Sequence, residues 1–179
     1  MRKVLIIYGG NSKNSRLYGV HQRIDKYLVE NNYDHSSLFV CDLPPEALIK
    51  GDFQDPEILK AHKQVEDAEM IIILTPVFKS TFSGILKAYL DLLPEKVFDR
   101  KTILPFAMGG TNSHILMIDY ALKPLISYLG SKNILKGGFI HNSQVEKINI
   151  DEYLIGDQAE ERITCELDRL EVYGFKALY

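Results

Sequence analysis

Five apolar runs without a two-residue alternation, each followed by a stretch of helical periodicity, constrain this chain more than any other feature. The runs are KVLIIY (residues 3–8), SLFVC (37–41), MIIILT (70–75), TILPFAM (102–108) and ILKGGFIH (134–141), the last interrupted by Gly137-Gly138. A strand wetted on one face alternates apolar and polar residues. A continuous run instead marks a strand covered on both faces, as in a parallel sheet. Between the runs, residues 15–31 place Leu17, Val20, Ile24, Tyr27 and Leu28 at helical spacing, with Asn31-Asn32 as a stop. Residues 56–68 open on Pro56 and carry Ile58, Leu59, Ala61 and Val65. Residues 83–93 end at Pro94, residues 112–129 end at a Gly130 cap, and residues 157–173 form the last helix.

Strand and helix in strict alternation predict an open, doubly wound α/β sheet. Five strands favour the flavodoxin-like order 2-1-3-4-5 over the six-stranded dinucleotide fold. The 179 residues suit one domain spanning 1–179. Residues 44–56 read as a longer irregular loop. In such a sheet, ligands bind beyond the carboxyl ends of the strands where the strand order reverses. Loops 9–15, 76–84 and 109–114 follow the first, third and fourth runs, which are neighbours in that order, so these three loops are expected to meet.

Their chemistry is not that of plain turns. The first reads GGNSKNSR. Its glycines allow close backbone approach, Ser12, Ser15 and the amides that open the next helix can bind an anion, and Lys13 and Arg16 add charge. A strand-to-helix turn with a Ser or Asn cap carries similar residues. The pattern is neither GxGxxG nor GxxxxGK[ST], which argues against a dinucleotide fingerprint or a nucleoside triphosphate. The second loop carries Pro76, Phe78, Lys79, Thr81, Phe82, Ser83 and Gly84, a mixture suited to a planar amphipathic ligand. The third, MGGTNSH, opens a helix and offers amides at its positive end. His114 lies one turn inside and reads as a packing or surface residue. Asp119 and Lys123 read as an i,i+4 ion pair. Pro124 removes the hydrogen bond to the Tyr120 carbonyl and is expected to bend the helix. That helix carries apolar residues nearly all round, from Ile115 to Leu129, which points to a subunit interface or to burial under the last helix.

Composition narrows the classes. A net charge of −3 lacks the basic face of a non-specific nucleic-acid binder. Cys41 and Cys165 lie far apart with no metal-ligand spacing, as expected of thiols in a reducing compartment. The N-terminal apolar run is too short for a signal peptide and no run reaches membrane-spanning length, so the expected location is cytoplasmic.

The segments TPVFKSTFSGILKAYLDLLP and GGTNSHILMIDYALKP resemble the NADPH-dependent FMN reductases, in particular the type that serves sulfonate-utilising monooxygenases. The likeness is specific over residues 70–124, looser in the first loop and general beyond Gly138. It implies a flavodoxin-like fold, FMN at the strand ends, hydride transfer from NADPH or NADH, a flavin-dependent monooxygenase as partner, and a homodimer or homotetramer. By this resemblance Thr75, Pro76, Val77, Phe78 and Lys79 lie along the isoalloxazine ring. Ser83, Gly84 and Lys87 match the family's Ser-Gly-x-x-Lys, and Gly109, Gly110 and Thr111 lie near the flavin pyrimidine. Asn11, Ser12, Lys13, Ser15 and Arg16 form the phosphate loop.

Two positions depart from the family pattern. Phe78 stands where Tyr is common, and Lys13 stands where an Arg would grip phosphate with two hydrogen bonds, leaving a point charge. The second departure fits an enzyme that releases FMN as a substrate. Hydride transfer is the cofactor's own chemistry, so no catalytic side chain is assigned. A quinone or azo-compound reductase would use the same chemistry. A one-electron carrier would share the fold but is usually strongly acidic with a Trp beside the flavin, and this chain has no Trp. A receiver domain would need acidic residues where Tyr8-Gly9-Gly10 stand. A scaffold that has lost FMN would fit the altered phosphate loop.

Overall fold

In the computed structural model, which describes residues 3–174, the apolar runs lie side by side. One sheet contains β1 (Lys3–Tyr8), β2 (Asp34–Phe39), β3 (Met70–Phe78), the short β4 (Thr81–Phe82), β5 (Thr102–Gly109), β6 (Asn133–Ile134) and β7 (Gly138–His141). The parallel order is β2-β1-β3-β5-β6, with β7 also pairing β5 and β4 returning antiparallel on β3. This is the flavodoxin-like order expected from the sequence. A separate antiparallel hairpin joins β8 (Val145–Lys147) to β9 (Tyr153–Ile155).

Each central strand feeds two cores by alternation. Leu5, Ile7, Ile71, Ile73, Ile103 and Ala107 face one side, where α3 (Pro56–Asp67), α4 (Gly84–Leu90) and α5 (Lys123–Tyr128) pack. Val4, Ile6, Tyr8, Ile72, Leu74, Leu104 and Phe106 face the other, under α1 (Arg16–Glu30) and α6 (Asp157–Gly174). Both faces are dry, which is why the runs show no period of two. Removing each such side chain from water contributes about 1.5–3 kcal/mol.

The departures from expectation have local causes. β2 is an edge strand in which only Leu38 is fully buried, so its polar residues 34–36 extend it backwards and residues 40–42 turn into a 3-10 helix. Residues 44–56 are not irregular throughout: they contain α2 (Pro45–Lys50), opened by Pro45 and ended by Gly51 at φ +69°. The fifth run is split at Gly137. The Leu135 amide donates to Ile103 O, so the nitrogen of Pro105, two residues on, faces the same neighbour with no hydrogen to give. Gly137 crosses that gap at φ +81°, where a Cβ would meet Pro105 O at 2.3 Å.

The expected helix 112–129 is also broken. It comprises a 3-10 turn (Asn112–Ile115), a π turn (Ile118–Leu122) and α5. The π turn lies immediately before the Lys123-Pro124 pair that opens α5, so the proline break takes the form of a widened turn. The Asp119–Lys123 pair forms, at 2.7 Å. Gly130 follows the end of α5 at φ +104°. Among the described residues no helix is long and apolar enough to cross a membrane.

Candidate active site

At the carboxyl edge of the sheet the turns after β1, β3 and β5 converge on a cleft of about 380 Å³, within the size range of small-molecule sites. Its wall contains Gly10, Asn11, Ser12, Ser15, Arg16 and Leu17 from the first turn. Pro76, Val77 and Phe78 come from the second, Met108 and Gly109 from the third, and Asn142 from beyond β7. Eight residues proposed from sequence therefore share one wall: Asn11, Ser12, Ser15, Arg16, Pro76, Val77, Phe78 and Gly109.

The first turn is shaped by Tyr8. Its phenol, fully buried, donates to Ser12 O at 2.8 Å and lies 2.9 Å from Ser15 Oγ. Since the phenol hydrogen goes to a carbonyl, Ser15 donates its own hydrogen to the Tyr8 oxygen. Burial pushes the Tyr8 pKa up to about 12, so the phenol stays neutral. Ser15 is the N-cap of α1 but makes no side-chain capping bond, which leaves the first amides of a fifteen-residue helix without that partner. Ser12 differs: its Oγ accepts from Asn14 N at 2.9 Å and keeps a hydrogen to give.

Charge in this turn is divided unequally. Lys13 Nζ lies 2.5 Å from Asp42 Oδ2 and 4.2 Å from the centre of the Phe39 ring, and it is absent from the cleft wall. Its hydrogen bond to Asp42 raises its pKa. Among the described residues Arg16 is the one basic side chain in that wall.

The second turn is a β-hairpin. β3 runs on through Phe78, and Val77 and Phe78 pair with Phe82 and Thr81 of β4. The two tip residues, Lys79 and Ser80, have φ of +49° and +67°, as a type I′ turn requires. Phe78 stands half exposed at the cleft rim. Ser83 is buried and does not line the cleft. Its Oγ donates to Gly9 O and accepts from Leu86 N, so it caps α4 and joins the first two turns. Thr75 Oγ1 accepts from Ser83 N at 3.1 Å. Gly84 and Lys79 also lie outside the wall, and Lys87 is paired with Asp91 at 2.6 Å.

The third turn leaves β5 at Gly109. His114 packs against it, with Nδ1 2.6 Å from where a Gly109 Cβ would stand. Gly110 and Thr111 are exposed and lie outside the wall. The helix they open is a four-residue 3-10 turn, so the dipole expected from a long helix is short. Gly10, read from sequence as a glycine permitting close backbone approach, is in the wall; sequence reasoning missed Leu17, Met108 and Asn142. The signal for Asn142 was its place directly after the fifth apolar run.

An anion fits the first turn, where α1 amides, Ser12 and Arg16 offer donors. A flat ring fits the second, where Pro76, Val77, Phe78 and Met108 offer apolar surface. The family model described as NADPH-dependent FMN reductase matches residues 2–146. An FMN reductase (NADPH) of Pseudomonas putida is 39% identical over 142 residues, 79% of this chain and 72% of that protein. An FMN reductase (NADPH) of Escherichia coli is 46% identical over 101 residues, 56% of this chain and 53% of that protein. The crystal structure of the apo form of the NADH:FMN oxidoreductase EMOB superposes with a TM-score of 0.83 at 26% identity, covering 96% of this chain and 89% of that one. An anion-ready turn and an apolar wall meeting in one cleft, on a chain matched over most of its length, have one common explanation: the chain belongs to the NADPH-dependent FMN reductase family.

Proposed function

We propose that the cleft binds FMN and that the protein catalyses its reduction by NADPH or NADH. The observation that carries this reading is the meeting, in one cleft, of an uncapped helix N-terminus beside Arg16 with the apolar wall at Pro76–Phe78. In it the phosphate would take the α1 amides, the Ser12 hydroxyl and Arg16, the ring would lie along Pro76, Val77 and Phe78, and the pyrimidine edge would meet Gly109 and Asn142 of the wall and extend past it to the exposed Gly110–Thr111 turn. FMN, when bound, would supply the hydride acceptor: it would take the hydride with both electrons of the nicotinamide C–H bond and a proton from solvent, leaving the nicotinamide oxidised. The chain's task is to stack two rings and exclude water between them. Lys13, held by Asp42, leaves Arg16 as the one cation in the wall among the described residues, which favours a flavin that exchanges and can pass to a flavin-dependent monooxygenase. The free thiols Cys41 and Cys165 agree with a cytoplasmic setting.

The same reading includes a second copy of the chain. The segment 115–128 buries Met117, Ile118, Leu122 and Ile126 in its own core yet leaves Ile115, Leu116, Tyr120 and Tyr128 more than half uncovered or close to it. One set of samples tests both parts. NADPH oxidation should rise severalfold on adding free FMN. Light scattering should give a multiple of the chain mass that falls in Leu116→Glu. No FMN-dependent oxidation with either nicotinamide would leave a carrier or scaffold, and a monomeric wild type would remove the second copy.

A further inference from the structure

We propose that His141 is a positioning residue that sets how much more tightly the site holds reduced than oxidised flavin; this rests on the FMN-reductase reading above. β5 and β7 end opposite each other, with Gly109 and His141 in register. From there the His141 ring joins two turns that flank the cleft residues Gly109 and Asn142. Nε2 lies 2.7 Å from Gly110 O. Nδ1 lies 2.7 Å from Ser143 Oγ and accepts from Ser143 N at 3.2 Å. The His141 amide donates to Gln144 Oε1 at 2.9 Å, closing a capping box on the turn Asn142–Gln144.

These contacts select one tautomer. A carbonyl oxygen only accepts, so Nε2 carries the hydrogen. Nδ1 is then bare, as the Ser143 amide requires, and the Ser143 hydroxyl donates to it as well. One neutral ring serves all three contacts, the Ser143 hydroxyl and amide sharing the single Nδ1 lone pair, and it ties the Gly110 turn to the turn that places Asn142 in the cleft wall.

The effect on Gly110 is directional. The described residues contain no cis peptide, so the carbonyl of Gly110 and the amide of Thr111 point in opposite directions from one rigid plane. Holding the carbonyl to His141 fixes where the Thr111 hydrogen points. Gly110 has no Cβ, and one added there would meet only Asn142 Nδ2, at 3.6 Å. Without His141 the peptide is free to turn over and present oxygen in place of hydrogen. In the binding mode proposed above the pyrimidine edge extends past the wall to this turn; reduction gathers negative charge on that edge, so a fixed donor there favours the reduced form over the oxidised one.

His141→Asn isolates this function. An Asn oxygen stands near the place of Nδ1 and is a good N-cap, so the turn Asn142–Gln144 keeps its anchor, but nothing reaches Gly110. His141→Gln returns an amide donor at about the reach of Nε2. The midpoint potential of bound FMN and the dissociation constant of oxidised FMN are measured for all three proteins. In H141N the reduced form should lose roughly tenfold more affinity than the oxidised form, which for a two-electron couple lowers the potential by about 30 mV; H141Q should recover most of it. A merely structural role weakens both forms alike and leaves the potential where it was. Equal potentials in H141N and H141Q therefore overturn the proposal, as does an H141N potential equal to wild type. A wild-type protein that binds no FMN overturns the flavin reading itself, before any variant is compared.

Discussion

The turns after β1 and β3 face each other across one cleft but are secured differently. The first is tied along its length: Gly9 N to Leu74 O at 2.7 Å, Gly9 O to Ser83 Oγ, Tyr8 to both Ser12 and Ser15, and Asn14 N to Ser12 Oγ. The second stands on a two-pair ladder, is fastened at its base by Thr75 and Ser83, and bends through two non-glycine residues at positive φ. The contrast follows from what each side would hold. A phosphate is bound by donors whose directions must be fixed in advance, whereas a ring face accepts apolar contact over a range of positions.

The largest expected effect loosens the tied side with acid. His21 of α1 is buried, stacks on Tyr18 at 5.4 Å, meets the Tyr8 ring edge-on and shares a hydrogen bond with Ser37, while its Nδ1 has no partner. Burial lowers its pKa from the ordinary 6.5 to about 4; Asp25 pulls upward, and His35 and Lys13 add to the lowering. The folded pKa is the lower one, so this stability is present in full above pH 6.5 and is lost as pH falls towards 4. The loss is roughly 3 kcal/mol. Urea unfolding of the wild type should show this fall, and His21→Gln should flatten it. An equal fall in the variant would place the acid sensitivity elsewhere.

Next in size is the division of charge on the same side. Arg16→Ala should weaken FMN binding by about 2 kcal/mol, the scale of a charge-assisted hydrogen bond. Lys13→Ala should cost less than about 0.5 kcal/mol, because its charge is spent on an exposed pair with Asp42. Calorimetric titration that ranked the two variants the other way would make Lys13 the phosphate ligand after all.

The smallest effect belongs to the hairpin. Ser80→Gly removes a side chain from the left-handed region and should raise stability by about 0.5 kcal/mol with FMN affinity unchanged. A marked loss of affinity in this variant would show that the strained tip places the ring, and the contrast between the two turns would fail.

The central sheet was legible because burial on both faces leaves no charged residue in β1 after Lys3, and the same holds in β3 as far as Leu74. The hairpin was not, because Lys79-Ser80 lacks the Asn or Gly that usually announces a type I′ turn. Residues of the first turn could be chosen from sequence, but the fate of Lys13 depends on Asp42, which packing and not spacing brings near. Ser83 looked like a ligand residue because a hydroxyl at a helix start serves equally well as a cap. The split of the fifth run was readable in principle, from Pro105 in one strand and the Gly137-Gly138 pair in its neighbour.

That split has a bearing on solubility. β6 and β7 form the outer margin of the sheet beyond β5, and an uninterrupted margin offers a row of amides and carbonyls onto which a strand of another molecule can add. Here the margin is divided into lengths of two and four residues, and the carbonyl of Phe139 is already taken by Arg162 Nη1. A foreign strand would find no continuous ladder to extend. The missing hydrogen of one proline thus helps keep copies of this chain from growing into one another.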